Sequence, residues 1–257
     1  MLNVVEIFYS IQGEGLRAGR PSVFMRTGLC NFSCKGFGVK YKDPKTGEEK
    51  LGCDSFYAVD GTFKKNWTPY TDYIDLVNDM DAVIPDFGKY SLTKPDIVLT
   101  GGEPLIYWNE PVYQRMLSHY ISRGHVVTIE TNGSLPIEFT REYQKKIIFS
   151  ASVKLSVSEE PEHKRFNIDT ITKIAENSSQ SYLKFVTSKD SWEQDNVEIN
   201  AFLSEIPVYI DVYLMPLGDI ISTLEENAKF VIEQAMKLGY NFSDRLHIRI
   251  WNNKPGV

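Results

Sequence analysis

No apolar run in this chain approaches the length that a membrane-spanning helix needs. The start, MLNVVEIFYSIQGEG, lacks the basic head, long apolar stretch and small-residue cleavage site of a secretory signal. Both absences make a cytoplasmic location the expectation. Positive charge is in short supply too: 28 Lys and Arg stand against 34 Asp and Glu, a formal net charge of −6. That balance argues against a surface built to hold nucleic-acid backbones directly. Internal repeats and low-complexity segments are also absent, which leaves an ordinary globular chain. Scarcest of all is cysteine. Only three occur in 257 residues, an odd number, and in a reducing compartment this argues for metal or catalysis over disulfides.

What is present points to an α/β fold. Near-continuous apolar, β-branched runs predict strands at 22–28, 96–101, 125–133, 146–152, 182–188, 208–216 and 246–251. Helical periodicity marks 72–84, 110–123 and 223–238, with shorter helices at 169–177 and 194–204. Asn109 and Gly124 bracket the second as cap and stop. Ser222 and Glu225 have capping-box spacing at the start of the third, which ends at Gly239. Strands alternating with helices predict a mainly parallel sheet. Six or seven strands are too few for a closed eight-unit barrel, so a partial, open β/α barrel of about six parallel strands fits. Its chemistry belongs at the C-terminal strand ends. There lie TGLC, TGGEP, ETNG and SASVK. No domain boundary is visible, so 1–257 reads as one domain with an insertion at 35–52.

Cys30, Cys34 and Cys53 share one short window, and the first histidine, His119, is far away. A closed zinc site normally has four protein ligands, so zinc would have to recruit a distant histidine or Asp54. Three thiolates suit a [4Fe–4S] cluster with one iron left open to a small molecule. Eighteen residues separate Cys34 from Cys53. They read as an extended GVKYK, a turn at DPKTG and a return, so the two cysteines can still meet one cluster.

CNFSC after an apolar strand, followed by TGGEP after the next, resembles the radical S-adenosylmethionine (SAM) superfamily. FYSIQGEG, VFMRTGLCNFSC, CDSFYAVDG, LTGGEP and the tail LHIRIWNNKPGV resemble the 7-carboxy-7-deazaguanine synthase family within it. The resemblance runs from residue 6 to the end and is thinner in the middle third. The family pattern commonly has two residues between the second and third cysteines, so the long spacing here is a departure. By resemblance, the substrate is 6-carboxy-5,6,7,8-tetrahydropterin and the product 7-carboxy-7-deazaguanine, formed with loss of ammonia for 7-deazapurine (queuosine) biosynthesis. A SAM-derived radical starts the reaction at C6 of the pterin. A glycyl-radical activase is the alternative within the superfamily; it would not need IQGEG or the arginine. A zinc-stabilised binding module is the alternative outside it.

The resemblance implies a role for each motif residue. Cys30, Cys34 and Cys53 hold the cluster, and Ser55 takes the place of a magnesium ligand that is usually threonine. Gly52, Cys53, Asp54, Gly102, Ser152 and Lys154 match SAM-site positions. Ile11, Gln12, Gly13, Arg26 and Thr100 match substrate positions. An electron donor such as a flavodoxin, and a homodimer, are implied likewise. Several residues also have plainer readings. QGEG could be a turn, Lys154 a solvated lysine, and Arg26 an ion pair within the fold. Glu103 could bind by charge or merely fix its loop. Glu130 and Asn132 could contact SAM or shape theirs. The two glycines of TGGEP would let backbone approach a ligand closely.

Overall fold

The computed structural model describes residues 1–86, 94–178, 180–252, 254 and 256. In chain order the strands are β1 Leu2–Ile11, β2 Pro21–Thr27, β3 Val39–Lys42, β4 Glu49–Gly52, β5 Thr68–Tyr70, β6 Asp96–Gly101, β7 Val127–Thr131, β8 Ile148–Ala151, β9 Tyr182–Thr187, β10 Asp211–Pro216 and β11 Asn241–Phe242. The helices are α1 Phe56–Val59, α2 Tyr73–Ala82, α3 Pro111–Ser122, α4 Glu162–Arg165, α5 Ile168–Asn177, α6 Trp192–Ser204, α7 Ile221–Leu238 and α8 Leu246–Trp251.

One nine-stranded sheet organises the chain, in the order β11-β10-β9-β8-β7-β6-β2-β1-β5. From β2 through β11 every pairing is parallel. Each new strand adds beside its predecessor, the singly wound order of βα repeats rather than a doubly wound sheet. β1 and β5 extend the other edge antiparallel. Six of the parallel strands run four residues or more, and β11 adds two residues at the edge. The parallel strands are legible because both of their faces are covered: Ile97, Val98 and Leu99 of β6 are all fully buried. α2 and α3 lay Leu76, Met80, Tyr113, Met116 and Leu117 into the same core. No helix among the described residues is long and apolar enough to cross a membrane.

Four features differ from the sequence expectation. The long strand β1 precedes β2, so the cysteine loop follows the second strand and the first parallel one. Residues 246–251 form helix α8, not a strand. The Leu246 amide donates to the Gly13 carbonyl at 2.9 Å, tying this helix to the IQGEG turn. α7 starts at Ile221 with Ile220 at its cap, so Ser222 lies inside the helix and no capping box forms. α3 has Glu110, not Asn109, at its cap position, with Pro111 as its first residue. Pro111 fits there because the amide it lacks would have no partner in the helix. Gly124 (φ +81°) and Gly239 (φ +70°) do follow their helices, in the left-handed conformation that glycine accepts most readily.

Candidate active site

The C-terminal strand ends enclose a cavity of about 490 Å³. Its wall includes Ile11, Gln12, Gly13, Arg26, Cys30, Cys34, Cys53, Asp54, Ser55, Thr100, Gly102, Ser152 and Lys154. Of the residues matched to cluster, magnesium, SAM or substrate positions, Gly52 alone stays off that wall. A Cβ there would stand 3.2 Å from Tyr41 Cε1 and 3.6 Å from Phe56 Cβ, so Gly52 fits the hairpin against α1 instead.

The cysteine loop is held from several sides. Leu29 has φ +77° and Cys34 φ +46°, conformations most side chains avoid. They are sustained by neighbouring backbone and by one carboxylate. Leu29 N–H donates to Ala58 O at 2.8 Å, and Leu29 O accepts from Glu103 N–H at 2.7 Å. Glu160 Oε1 accepts from Ser33 N–H (2.6 Å), Ser33 Oγ (3.0 Å) and Cys34 N–H (2.9 Å). The segment behind Glu160 is anchored by a buried ion pair, Arg165 to Glu198 at 3.0 Å. Glu160→Ala is expected to loosen the loop. Iron retained per chain should fall and stability drop by about 2 kcal/mol, since charged hydrogen bonds are lost together; metal analysis and a denaturation curve check this.

β3 and β4 pair antiparallel, with Val39 opposite Gly52 and Lys42 opposite Glu49, so the chain leaving Cys34 returns to Cys53. The expected excursion, turn and return is thus a hairpin. Tyr41 stacks on Phe56 (4.4 Å, 8°), and its hydroxyl donates to Asp60 at 2.9 Å.

All three thiols are free and line one cavity. Burial pushes each pKa up, that of Cys34 to about 12 and that of Cys53 to about 11; Cys30 rises too, with Glu103 adding to it. The Lys154 ammonium pulls Cys34 and Cys53 back toward the thiolate. Buried thiols of this kind stay protonated until a metal displaces the proton. No group of three or more His, Cys, Asp or Glu among the described residues is placed around a single metal-ion position. Three thiols on one wall supply the ligand type of an iron–sulfur cluster with one iron left open.

TGGEP has a structural job. A Cβ on Gly102 would lie 1.9 Å from Leu29 O, and one on Gly101 (φ +132°) would lie 2.4 Å from Thr27 N and O. The close approach these glycines allow is therefore to the protein's own backbone, Gly101 to the end of β2 and Gly102 to the cysteine loop. Glu103 is fully buried and accepts from Leu105 N–H, Thr131 Oγ1 and Asn132 N–H at 3.0, 2.7 and 2.7 Å. It fixes its loop. Asn132 Nδ2 donates to Asn31 Oδ1 at 2.9 Å and so also braces the cysteine loop, while Glu130 lies on the cavity wall. Gly102→Ala is expected to displace the cysteine loop and lower iron retention several-fold, read by anaerobic iron and sulfide analysis, because backbone cannot yield as a flexible side chain can.

Beyond the thiols the wall is strongly polar. Arg26 lies opposite Glu6 across β1–β2 and beside Thr100 in β6. Its Nε donates to Glu6 at 2.6 Å and one Nη to Ser55 Oγ at 3.2 Å. Lys154 Nζ donates to Ser152 Oγ at 3.2 Å and stands over the Phe37 ring, so it is not a solvated lysine. Gln12 is buried; its amide donates to Glu130 at 3.0 Å and accepts from Glu14 N–H at 3.1 Å. Gly13 is needed because a Cβ would lie 2.1 Å from His247 Nδ1.

A cluster of residues that received no role from sequence sits among these. Lys184 and Arg245 both pair with Glu14, and Arg245 also reaches Asp54 at 3.3 Å. Burial works to raise the Glu14 pKa, but the two cations outweigh it and hold the carboxyl well below its usual range. Burial lowers the pKa of His247 against the pull of Glu14, which favours the neutral ring. Lys184, Arg245 and His247 all line the cavity. Lys184 could have been found from its place inside the apolar YLKFVT, the signal that marked Arg26. Reading 246–251 as a strand hid His247, and Arg245 stands just before it at the cap of α8. In the tail motif, residues 253, 255 and 257 lie outside the described residues.

Residues 11–181 match the family described as a 4Fe-4S single cluster domain. A 7-carboxy-7-deazaguanine synthase of Halobacterium salinarum is 30% identical over 271 residues, spanning 99% of this chain and 92% of the relative. One from Rhodopirellula baltica is 26% identical, spanning 100% and 89%. The crystal structure of QueE from Escherichia coli superposes with a TM-score of 0.60 at 20% identity, covering 96% of this chain and 94% of that one, which shows a common fold.

Proposed function

The chain belongs to the 7-carboxy-7-deazaguanine synthase family of radical SAM enzymes, and from that premise we propose that it converts 6-carboxy-5,6,7,8-tetrahydropterin to 7-carboxy-7-deazaguanine with loss of ammonia. One observation carries this reading: three free thiols open onto the same cavity as Arg26, Gln12 and Thr100. The relatives above favour the synthase over a glycyl-radical activase. We read the mostly parallel sheet as a partial barrel with its chemistry at one set of strand ends, in a single domain with 35–52 inserted in the cysteine loop.

Cys30, Cys34 and Cys53 would hold the [4Fe–4S] cluster. When bound with SAM, the cluster supplies one-electron cleavage of the sulfonium and hydrogen-atom abstraction from substrate. The chain's residues bind and orient. Gly102, Ser152, Lys154 and Asp54 frame the SAM side, where the ammonium of Lys154 faces the cysteines. Arg26 offers a planar fork to the substrate carboxylate. Gln12 and the backbone of Ile11–Gly13 present amide donors and acceptors at the mouth of β1, suited to a flat heterocycle. Glu103 and Glu160 position the cysteine loop without touching the reactants.

Magnesium would sit at Ser55 Oγ beside Asp54, hard oxygens of the right type. Each is engaged by a guanidinium, from Arg26 and Arg245 respectively, so ion and substrate carboxylate would have to share that charge. A homodimer follows from the family alone. Anaerobic turnover of reduced enzyme with SAM and carboxytetrahydropterin, read by product mass, tests the proposal. SAM cleavage without a deazaguanine product would refute it.

A further inference from the structure

Arg245 joins three segments of the cavity wall that lie far apart in the chain. Its Nε donates to Glu14 Oε1 at 3.1 Å, one Nη to the Gly218 carbonyl at 2.6 Å, and the other Nη to Asp54 Oδ2 at 3.3 Å. Glu14 follows the Ile11–Gly13 stretch. Asp54 follows Cys53. Gly218 lies in the turn between β10 and α7. Arg245 and all three partners line the cavity. A guanidinium is planar, so three bonds from one fork fix the relative positions of three partners, which a flexible ammonium does not do.

The two ends of the sheet also close on each other here. β1 stands next to one edge of the nine strands, and β11 forms the other edge. The chain leaving β1 crosses between them. Gly15 N–H donates to Ser243 Oγ at 2.8 Å, and Leu246 N–H to Gly13 O at 2.9 Å. Lys184 of β9 pairs with the second oxygen of Glu14. These bonds hold residues 13–15 to the far end of the sheet without help from Arg245. What Arg245 adds is a link onward to the cysteine loop. Among the described residues, the Asp54 side chain has no other hydrogen-bond partner outside its own loop; Ser55 Oγ donates to its Oδ1 at 3.3 Å.

We propose that Arg245 is a positioning residue: by tying Glu14 to Asp54 it sets the separation between the substrate side of the cavity and the cysteine loop. This rests on the reaction proposed above, in which SAM is cleaved on the cysteine side and a hydrogen atom is taken from the pterin, and it adds no chemical step. Transfer of this kind needs the reacting atoms in near contact, and a misplacement of about 1 Å costs about 10²-fold. Loosening the tie therefore wastes SAM: cleavage continues while transfer from the pterin lags.

Arg245→Lys is the test, because it keeps a positive charge beside Glu14 and loses the fork. In anaerobic, cluster-loaded enzyme without substrate, amide hydrogen exchange read by mass spectrometry should quicken about tenfold in peptides covering both 11–20 and 53–60. During turnover, product formed per 5′-deoxyadenosine released should fall about tenfold, with iron content and SAM cleavage within about twofold of wild type. Arg245→Gln, which loses the charge as well, should lower that ratio at least as far. Faster exchange in 11–20 alone, with a higher KM for the pterin and an unchanged ratio, would overturn the proposal and make Arg245 a substrate ligand. A lower denaturation midpoint with exchange and ratio at wild-type values would overturn it too, leaving Arg245 an ion pair of the fold. If wild-type enzyme yields no deazaguanine while both segments still exchange faster in Arg245→Lys, the proposed reaction fails and the tie stands. If product forms and neither segment's exchange changes, the tie fails and the reaction stands.

Discussion

Cys53→Ala is expected to abolish both iron retention and SAM cleavage. Cys53 is the residue the long spacing put most at risk, and its place depends on the hairpin closing. β3–β4 pairing delivers Gly52 back opposite Val39, and the next residue opens onto the cavity beside Cys30 and Cys34. Removing its thiol leaves two protein ligands for four irons, too few to hold a cluster against loss. The hairpin itself should survive, because its anchors are Tyr41 on Phe56 and Lys50 between Asp43 and Asp60, not the cysteine. The variant's denaturation midpoint without metal should therefore stay within about 1 kcal/mol of the unloaded wild type. Anaerobic iron and sulfide content, the visible absorbance of the cluster and 5′-deoxyadenosine release are the readouts. A full, active cluster in the variant would remove Cys53 from the ligand set.

Whether an element could be read from sequence depended on how one-sided its environment is. β6 is buried on both faces, so its centre, Ile97, Val98 and Leu99, carries an unbroken apolar signal. β1 is ten residues long yet mostly half-buried, with Glu6 in its middle, and so gave no run to recognise. α8 misleads for the opposite reason. Its six residues alternate polar with apolar, a period-two pattern, but only Ile248 is buried, and a single residue cannot reveal a period. Its position comes from Gly13, more than two hundred residues away.

The glycines show the same division. That GGEP and QGEG needed glycine was legible. What each glycine makes room for was not: Leu29 backbone, Thr27 backbone and His247 lie far from them in sequence. Glu103 had two readings from sequence, and three buried donors decide between them. Lys184 carried a signal in its apolar run, but that it and Arg245 converge on Glu14 shows only in the fold.

Arg26→Ala is expected to lower kcat/KM for the pterin about 10²–10³-fold, a loss of about 3–4 kcal/mol, while leaving the cluster intact. Burial pulls the guanidinium pKa down, but Tyr57 and Glu6 outweigh it and keep Arg26 charged. Glu6 takes its Nε and Ser55 one Nη, which leaves further donors on a residue of the cavity wall. Truncation also takes the guanidinium from the Glu6 carboxylate and leaves it only the Tyr57 hydroxyl as donor, so some stability is lost with the fork, about 1–3 kcal/mol. Two controls separate the effects. Arg26→Lys keeps the charge without the planar fork, so it should recover stability and only part of kcat/KM. Glu6→Gln keeps the fork and loses the ion pair, so it should cost stability and leave substrate use near wild type. The deficit in Arg26→Ala should appear mainly as a higher KM, with SAM cleavage continuing in excess of product. Unchanged pterin kinetics, with stability lost as in Glu6→Gln, would confine Arg26 to holding β1 against β2.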